Sequence, residues 1–194
     1  MLPQSMINRT NFFTAVRNTL FAGTLNQQQV NGMNVILDAW EAEKYTDLRK
    51  LGAALGNTKW ETAHTMWPIE EYGHGAGQPY GIPGTTGKIY FGRGFAQLTW
   101  ERNYKLMAKL IGVDIWHSPE KALEPPVAAA ILFEGCFNAA SGVGDFTGKS
   151  FDDYFTPTLT DWTNSRRVIN GTDHASEIGA LSAQFFQCAY GASQ

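Results

Sequence analysis

The sequence predicts a mainly α-helical domain with at most one small β-hairpin, and three observations lead there. Apolar residues recur at helical spacing along most of the 194 residues. That periodicity collapses between Tyr72 and Gly87, where the chain reads YGHGAGQPYGIPGTTG. Neither an internal repeat nor a convincing series of alternating strands is present. A chain of this length is most simply one domain, spanning residues 1–194.

Taken in order, Phe13, Val16 and Leu20 form a first stripe, with Gly23 as a stop. Val30, Met33, Leu37 and Trp40 form a second, with Asn26 placed to cap it. Leu48, Leu51 and Leu55 form a third, running towards Trp60 and Glu61. The 72–87 segment predicts a long loop with any hairpin near 78–92, and long loops in small domains usually serve function. Tyr104, Met107 and Ile111 restart a helix that Gly112 ends. Pro125 and Pro126 then introduce VAAAILFEGCFNAA, with proline in the first turn where its missing N–H costs nothing. This segment is apolar nearly all round, so it is expected to be the central buried helix. A polar loop is expected over 142–150, a short helix near Trp162–Val168, a turn at Asn170-Gly171 and a last helix carrying Ile178, Leu181, Phe185 and Cys188.

Composition excludes several functions. Net charge is −3, so no broad basic footprint for nucleic acid is visible. The longest strongly apolar run, Val127–Phe133, is too short to cross a bilayer, so no stable membrane insertion is expected. The first residues, MLPQSMINRTNFF, lack the apolar core of a signal peptide, which predicts synthesis in the cytoplasm and release by some other agent. Two cysteines, Cys136 and Cys188, do not make a disulfide framework and read as buried thiols. Aromatic residues are abundant at 13%, with six tryptophans, and such chains either bury large cores or line clefts for flat ligands such as sugars.

The candidates for chemistry cluster in KWETAHTMWPIEEYG, 59–73. Glycosidic cleavage by acid and base needs two carboxyl groups in different surroundings. Glu61 ends an apolar-striped helix, while Glu70 and Glu71 follow Pro68 on the rim of the loop. All three are otherwise read as exposed surface glutamates. Glu61 and His64 also have the i, i+3 spacing of carboxylate-bridged metal sites, but the only similar pair is Asp114 with His117, and no HExxH motif is present. No metal and no cofactor are expected. In YFGRGFAQLTW, 90–100, Arg93 is a structural cation, a sugar-site residue or both. Gln97 and Asn103 are core amides or cleft residues, and Thr99 is a helix cap or a holder of water.

YFGRGFAQLTWERNY resembles the signature of glycoside hydrolase family 19, the chitinases and related phage lysins, in which Y-G-R-G-x-x-Q-L-T/S precedes an N-Y pair. WETAHTMWPIEE is similar to that family's catalytic-helix end, and RRVINGTD, 166–173, to its I-N-G turn. The stretch FFTAVRNTLFAGTLNQQQVNGMNVILDAW further resembles the N-terminal helices of lysins from phages and prophages. The resemblance implies a lysozyme-like, two-lobed helical fold with a substrate cleft, the N-terminal helices of 1–45 packing on a catalytic core of 46–194. It implies hydrolysis with inversion. Glu61 would be the general acid and a second carboxylate would activate water, about 6.5–9.5 Å away. That second group is Glu71 by the lysins' TMxPIxE pattern, or Glu70 by the shorter interval of other relatives. Thr99 would hold the water, and Asn170 would lie near the water or the sugar. Arg93, Gln97 and Tyr104 would shape the cleft, with Tyr90 and Gly171 also against substrate. Where the family usually has histidine before the acid, this chain has Trp60, so that role is lost or passes elsewhere, for example to His64. The expected function is a phage-type endolysin, monomeric, hydrolysing the β-1,4 bonds of peptidoglycan. A chitinase, or a non-catalytic glycan-binding or virion protein, are the alternatives.

Overall fold

The computed structural model describes residues 6–137 and 146–194. Among the described residues, six α-helices and one two-stranded antiparallel sheet form the architecture. Residues 138–140 of the predicted apolar helix and 142–145 of the predicted polar loop lie outside the described residues.

Helix α1 (Arg9–Leu20) starts where the Asn8 side chain accepts from the Asn11 amide, and it buries Phe12 and Val16. Helix α2 (Gln27–Ala42) opens on the expected cap. Asn26 and Gln29 each satisfy the other's backbone N–H in a capping box. Its buried face is Met33, Ile36, Leu37 and Trp40.

Helix α3 (Leu48–Glu61) is capped by Asp47, which also pairs with Arg49 at 2.6 Å. Gly52 and Gly56 lie on one face of α3, and the last helix, α6 (Ala175–Gly191), packs directly on them. A Cβ on Gly56 would stand 2.7 Å from the Ser182 backbone nitrogen, so the two backbones approach as closely as glycine allows. The end of α3 is thereby fixed against α6. Immediately beyond Glu61, Thr62 bonds back to the Thr58 carbonyl at 2.7 Å and accepts from the Met66 amide at 3.1 Å. This turn holds Ala63, His64 and Met66 at φ of 48°, 67° and 54°, a conformation costly outside glycine.

Strand β1 (Ile69–Glu70) pairs with β2 (Arg93–Gly94), with Ile69 opposite Gly94 and Glu70 opposite Arg93. The β element therefore flanks the glycine-proline loop instead of lying within 78–92. Helix α4 (Glu101–Ile111) follows, and Gly112 ends it in the left-handed conformation. The Glu101 carboxylate turns back to accept from the Thr85 amide at 3.1 Å and from the Trp116 indole at 3.0 Å. It ties the loop's far end to α4, and the Thr85 hydroxyl, then the Thr85 amide and the Trp116 indole, hold its carboxyl below the usual range.

Helix α5 (Pro125–Phe137) is apolar all round because it serves two cores. Ala128, Ala129, Leu132, Phe133 and Cys136 pack into a large core with α1, α2, α3 and α6. Ile131 packs into a smaller one with Tyr90, Leu98, Tyr104, Met107 and Ile115. The two lobes of the fold are these two cores. Cys136 and Cys188 are buried thiols. The predicted helix near 162–168 is a 3-10 turn over Asn164–Val168. Among the described residues no helix is long and apolar enough to cross a membrane.

Candidate active site

An open cleft of about 660 Å³ lies along the end of α3, β1, the 92–103 segment and the residues around Ile169. Glu61, Glu70, Glu71, Gln97, Thr99 and Asn170 all line it.

Glu61 is the last residue of α3, and its position follows from the packing of α3 on α6. One carboxylate oxygen, Oε1, is buried and meets the guanidinium of Arg166 at 2.5 Å. The contact is an ion pair without the alignment of a hydrogen bond. Arg166 is 2% exposed, and its Nη1 also donates to Asn57 Oδ1 at 2.9 Å. Asn57 in turn donates to the Ala53 carbonyl, one turn back in α3. With Oε1 occupied from behind, the exposure that Glu61 retains belongs to the rest of its side chain, which faces the cleft.

Glu71 is held by two neutral donors. Tyr80 Oη donates to Oε1 at 2.8 Å, and the Gly92 amide donates to Oε2 at 2.9 Å. Burial and the adjoining carboxylate push the Tyr80 hydroxyl up to about 12, so it stays a donor throughout the working range of pH. A Cβ on Gly92 would sit 2.8 Å from Gln97 Oε1 and in ordinary contact with Glu71, so a larger residue there would displace the Gln97 side chain. Glu70 is held differently. Its oxygens face Arg93 Nε and His74 Nε2, each at 3.3 Å.

Thr99 does not cap α4, whose first turn has no side-chain cap. Its hydroxyl donates to the Gln97 carbonyl at 2.8 Å. Its one proton is thus committed, and towards the cleft it can only accept. Gln97 spends both amide protons on the Ile69 and Gly94 carbonyls, at 3.0 and 3.2 Å. It staples β1 to the motif while still lining the cleft. Asn103 likewise donates to the Thr99 carbonyl.

Four residues expected at the substrate lie elsewhere. Tyr90 and Tyr104 are buried in the smaller core, and their hydroxyls donate to the Trp116 and Phe91 carbonyls. Burial raises the titration of both. Arg93 is 6% exposed, lies 3.5 Å over the Phe91 ring and donates to Tyr104 and the Ile89 carbonyl. These three brace the cleft wall from behind because the polar ends of their side chains are satisfied inside it. Gly171 is exposed beside Asn170 and does not line the cleft.

The metal spacing dissolves as well. Glu61 turns to Arg166, while His64 Nδ1 faces Lys59 Nζ at 3.4 Å. Asp114 and His117 pair at the surface. No group of three His, Cys, Asp or Glu among the described residues could hold a metal ion. His64 does not line the cleft, whereas Trp60 does, with its ring 4.6 Å from that of His174.

Sequence reasoning passed over Trp100, Tyr80, Arg102 and Arg166. Trp100 is 42% exposed, lines the cleft and packs edge-on to Tyr80 at 5.3 Å. Its backbone sits at φ 73° and ψ 134°, a strained conformation of the kind that clusters at functional sites. An exposed tryptophan next to a polar motif was the available signal. Arg166 had none, since its partner lies in a distant part of the chain.

The chain matches endochitinase 1 of Theobroma cacao with 42% identity over 55 residues, 28% of this chain and 16% of that protein. The curated relatives are matched over 30% of their length or less. No family model matches. Two solved structures superimpose over nearly the whole chain. A bacterial family 19 chitinase does so with a TM-score of 0.55 and 18% identity, over 95% of each chain. A class IV chitinase of that family from Zea mays does so with a TM-score of 0.54 and 16% identity, over 92% of this chain and 90% of the other. The fold is that of the family 19 chitinases. The two-lobed helical architecture and the small sheet are therefore those of the family 19 chitinase fold, as the motifs implied.

Proposed function

We propose that this chain hydrolyses β-1,4 bonds in a polymer of amino sugars, with inversion at the anomeric carbon, and that the polymer is bacterial peptidoglycan. The observation that carries the reading is the placing of Glu61 and Glu71 on one open cleft, each held by a different element and different partners. Glu61 is the general acid. Arg166 occupies Oε1, so the carboxyl proton is carried on the other oxygen and passes to the leaving glycosidic oxygen. The guanidinium then stabilises the carboxylate left behind. Glu71 is the general base, taking a proton from water as that water attacks C1. Its two neutral donors orient it, whereas Glu70 already has the Arg93 guanidinium as counter-ion, with the His74 ring beside it. Thr99, able only to accept on this side, takes a hydrogen bond from the attacking water. Trp100, backed by Tyr80, offers a flat face for a sugar ring.

The peptidoglycan reading rests on the likeness of the first two helices to those of phage lysins. In it the chain is an endolysin that meets the wall once the inner membrane has been opened. Chitin oligomers are the second reading, favoured by the endochitinase matches.

Purified peptidoglycan and chitin hexamers, digested in parallel, test both. The expected result is soluble muropeptides with new amino-sugar reducing ends by mass, the α-anomer appearing first by proton NMR. Release from chitin alone removes peptidoglycan from the reading, and a β-anomer formed first removes inversion.

A further inference from the structure

Arg102 is a cation on the cleft wall for which hydrolysis alone has no task. It is exposed, lies at the start of α4 and lines the cleft with Thr99, Trp100 and Asn103. Its neighbour Glu101 points the other way, to Thr85 and Trp116, and Tyr104 points into the smaller core. The guanidinium is thus carried on the inner face of a rigid element. Each cleft carboxylate draws its donors from elsewhere. Glu61 has Arg166, Glu70 has Arg93 and His74, and Glu71 has Tyr80 and Gly92. A guanidinium has five N–H donors in a planar fork suited to carboxylate. Those of Arg102 have no hydrogen-bond, ion-pair or ring partner among the described residues.

A wall cation whose donors find no partner among the described residues points to an anion brought by the substrate. A plain polymer of N-acetylated amino sugar carries no charge. Peptidoglycan carries a lactyl-peptide on alternate sugars, and the peptide ends in carboxylates. We propose that Arg102 is a specificity residue that pairs with a stem-peptide carboxylate while the sugar rings lie along the cleft past Trp100. The inference deepens the peptidoglycan reading and rests on it.

The test compares two forms of one substrate: purified peptidoglycan, and the same material with its carboxyl groups converted to neutral amides by carbodiimide and methylamine. Chitin hexamer is the uncharged reference. The wild-type chain is expected to favour the carboxylate form over the amidated form in kcat/KM by about tenfold, mainly through KM. In Arg102→Gln that ratio is expected to fall to about one, in Arg102→Glu to fall below it, and in Arg102→Lys to be largely retained. A wild-type ratio of one, or a ratio that survives in Arg102→Gln, overturns the assignment of Arg102 alone. A wild-type chain that cuts neither form of peptidoglycan overturns the peptidoglycan reading, and this assignment with it.

Discussion

Arg166 shows how one side chain can decide what a carboxyl group is able to do. It is buried, spans from the 3-10 turn at 164–168 to the end of α3, and joins Glu61 to Asn57. Replacing it by methionine leaves the buried Oε1 of Glu61 without its counter-ion and Asn57 Oδ1 without its donor. Removing one partner of a buried pair generally costs about 3–5 kcal/mol. Arg166→Met is expected to lower the unfolding free energy by that order in urea titration. An unchanged midpoint would mean that the ion pair is not closed in solution. Nothing local announces this contact, because residues 61 and 166 meet only when α6 folds back on α3. The motif around Arg93 misled for a related reason. Polar and aromatic residues mixed in one stretch look like a cleft lining, yet Arg93, Tyr90 and Tyr104 turn inward, where each polar group finds a partner.

Most helices were readable in advance from an apolar stripe, α5 from an apolar block behind a proline pair, and Asn26 and Gly112 act where their chemistry places them. The strands were not, because two-residue strands have no periodicity to read and are set by the pairing of Glu70 with Arg93. The crossing of α3 and α6 is the element-scale feature on which the site depends. Gly52 and Gly56 look in sequence like weak points of a helix, and their purpose appears only once Ser182 and Phe186 are seen against them. Gly56→Ala would force the helices apart and is expected to cost about 1–3 kcal/mol, despite the better helix propensity of alanine. Activity should fall with it, because Glu61 sits at the displaced end of α3. A stabilised variant, by thermal melting, would contradict this account of the crossing.

Across the molecule, stability should respond to pH through the turn that follows Glu61. Burial, and then the nearby Lys59, holds the His64 imidazole below its ordinary value of 6.5. Lys59 is itself lowered by burial, with its ammonium over the Phe21 ring. The unfolded chain therefore takes up a proton on His64 before the folded one does. Stability contributed at this position is present above pH 6.5 and is lost as pH falls from there towards the folded-state value. His64→Gln should flatten the stability profile in that window. An unaltered slope would show that His64 titrates freely in the folded state.

Hydrolysis by this chain stands or falls on the proton carried by Glu61, and Glu61→Gln tests it most directly, because glutamine keeps an oxygen for Arg166 while having no proton to give. Turnover of peptidoglycan and of chitin hexamer by the folded variant should be measured beside the wild-type chain. The account predicts a loss of about 10²–10⁴-fold in a variant that still folds, its melting temperature lowered because the buried Arg166 guanidinium loses its counter-charge. Turnover equal to the wild-type chain's on the substrate it cleaves would contradict it.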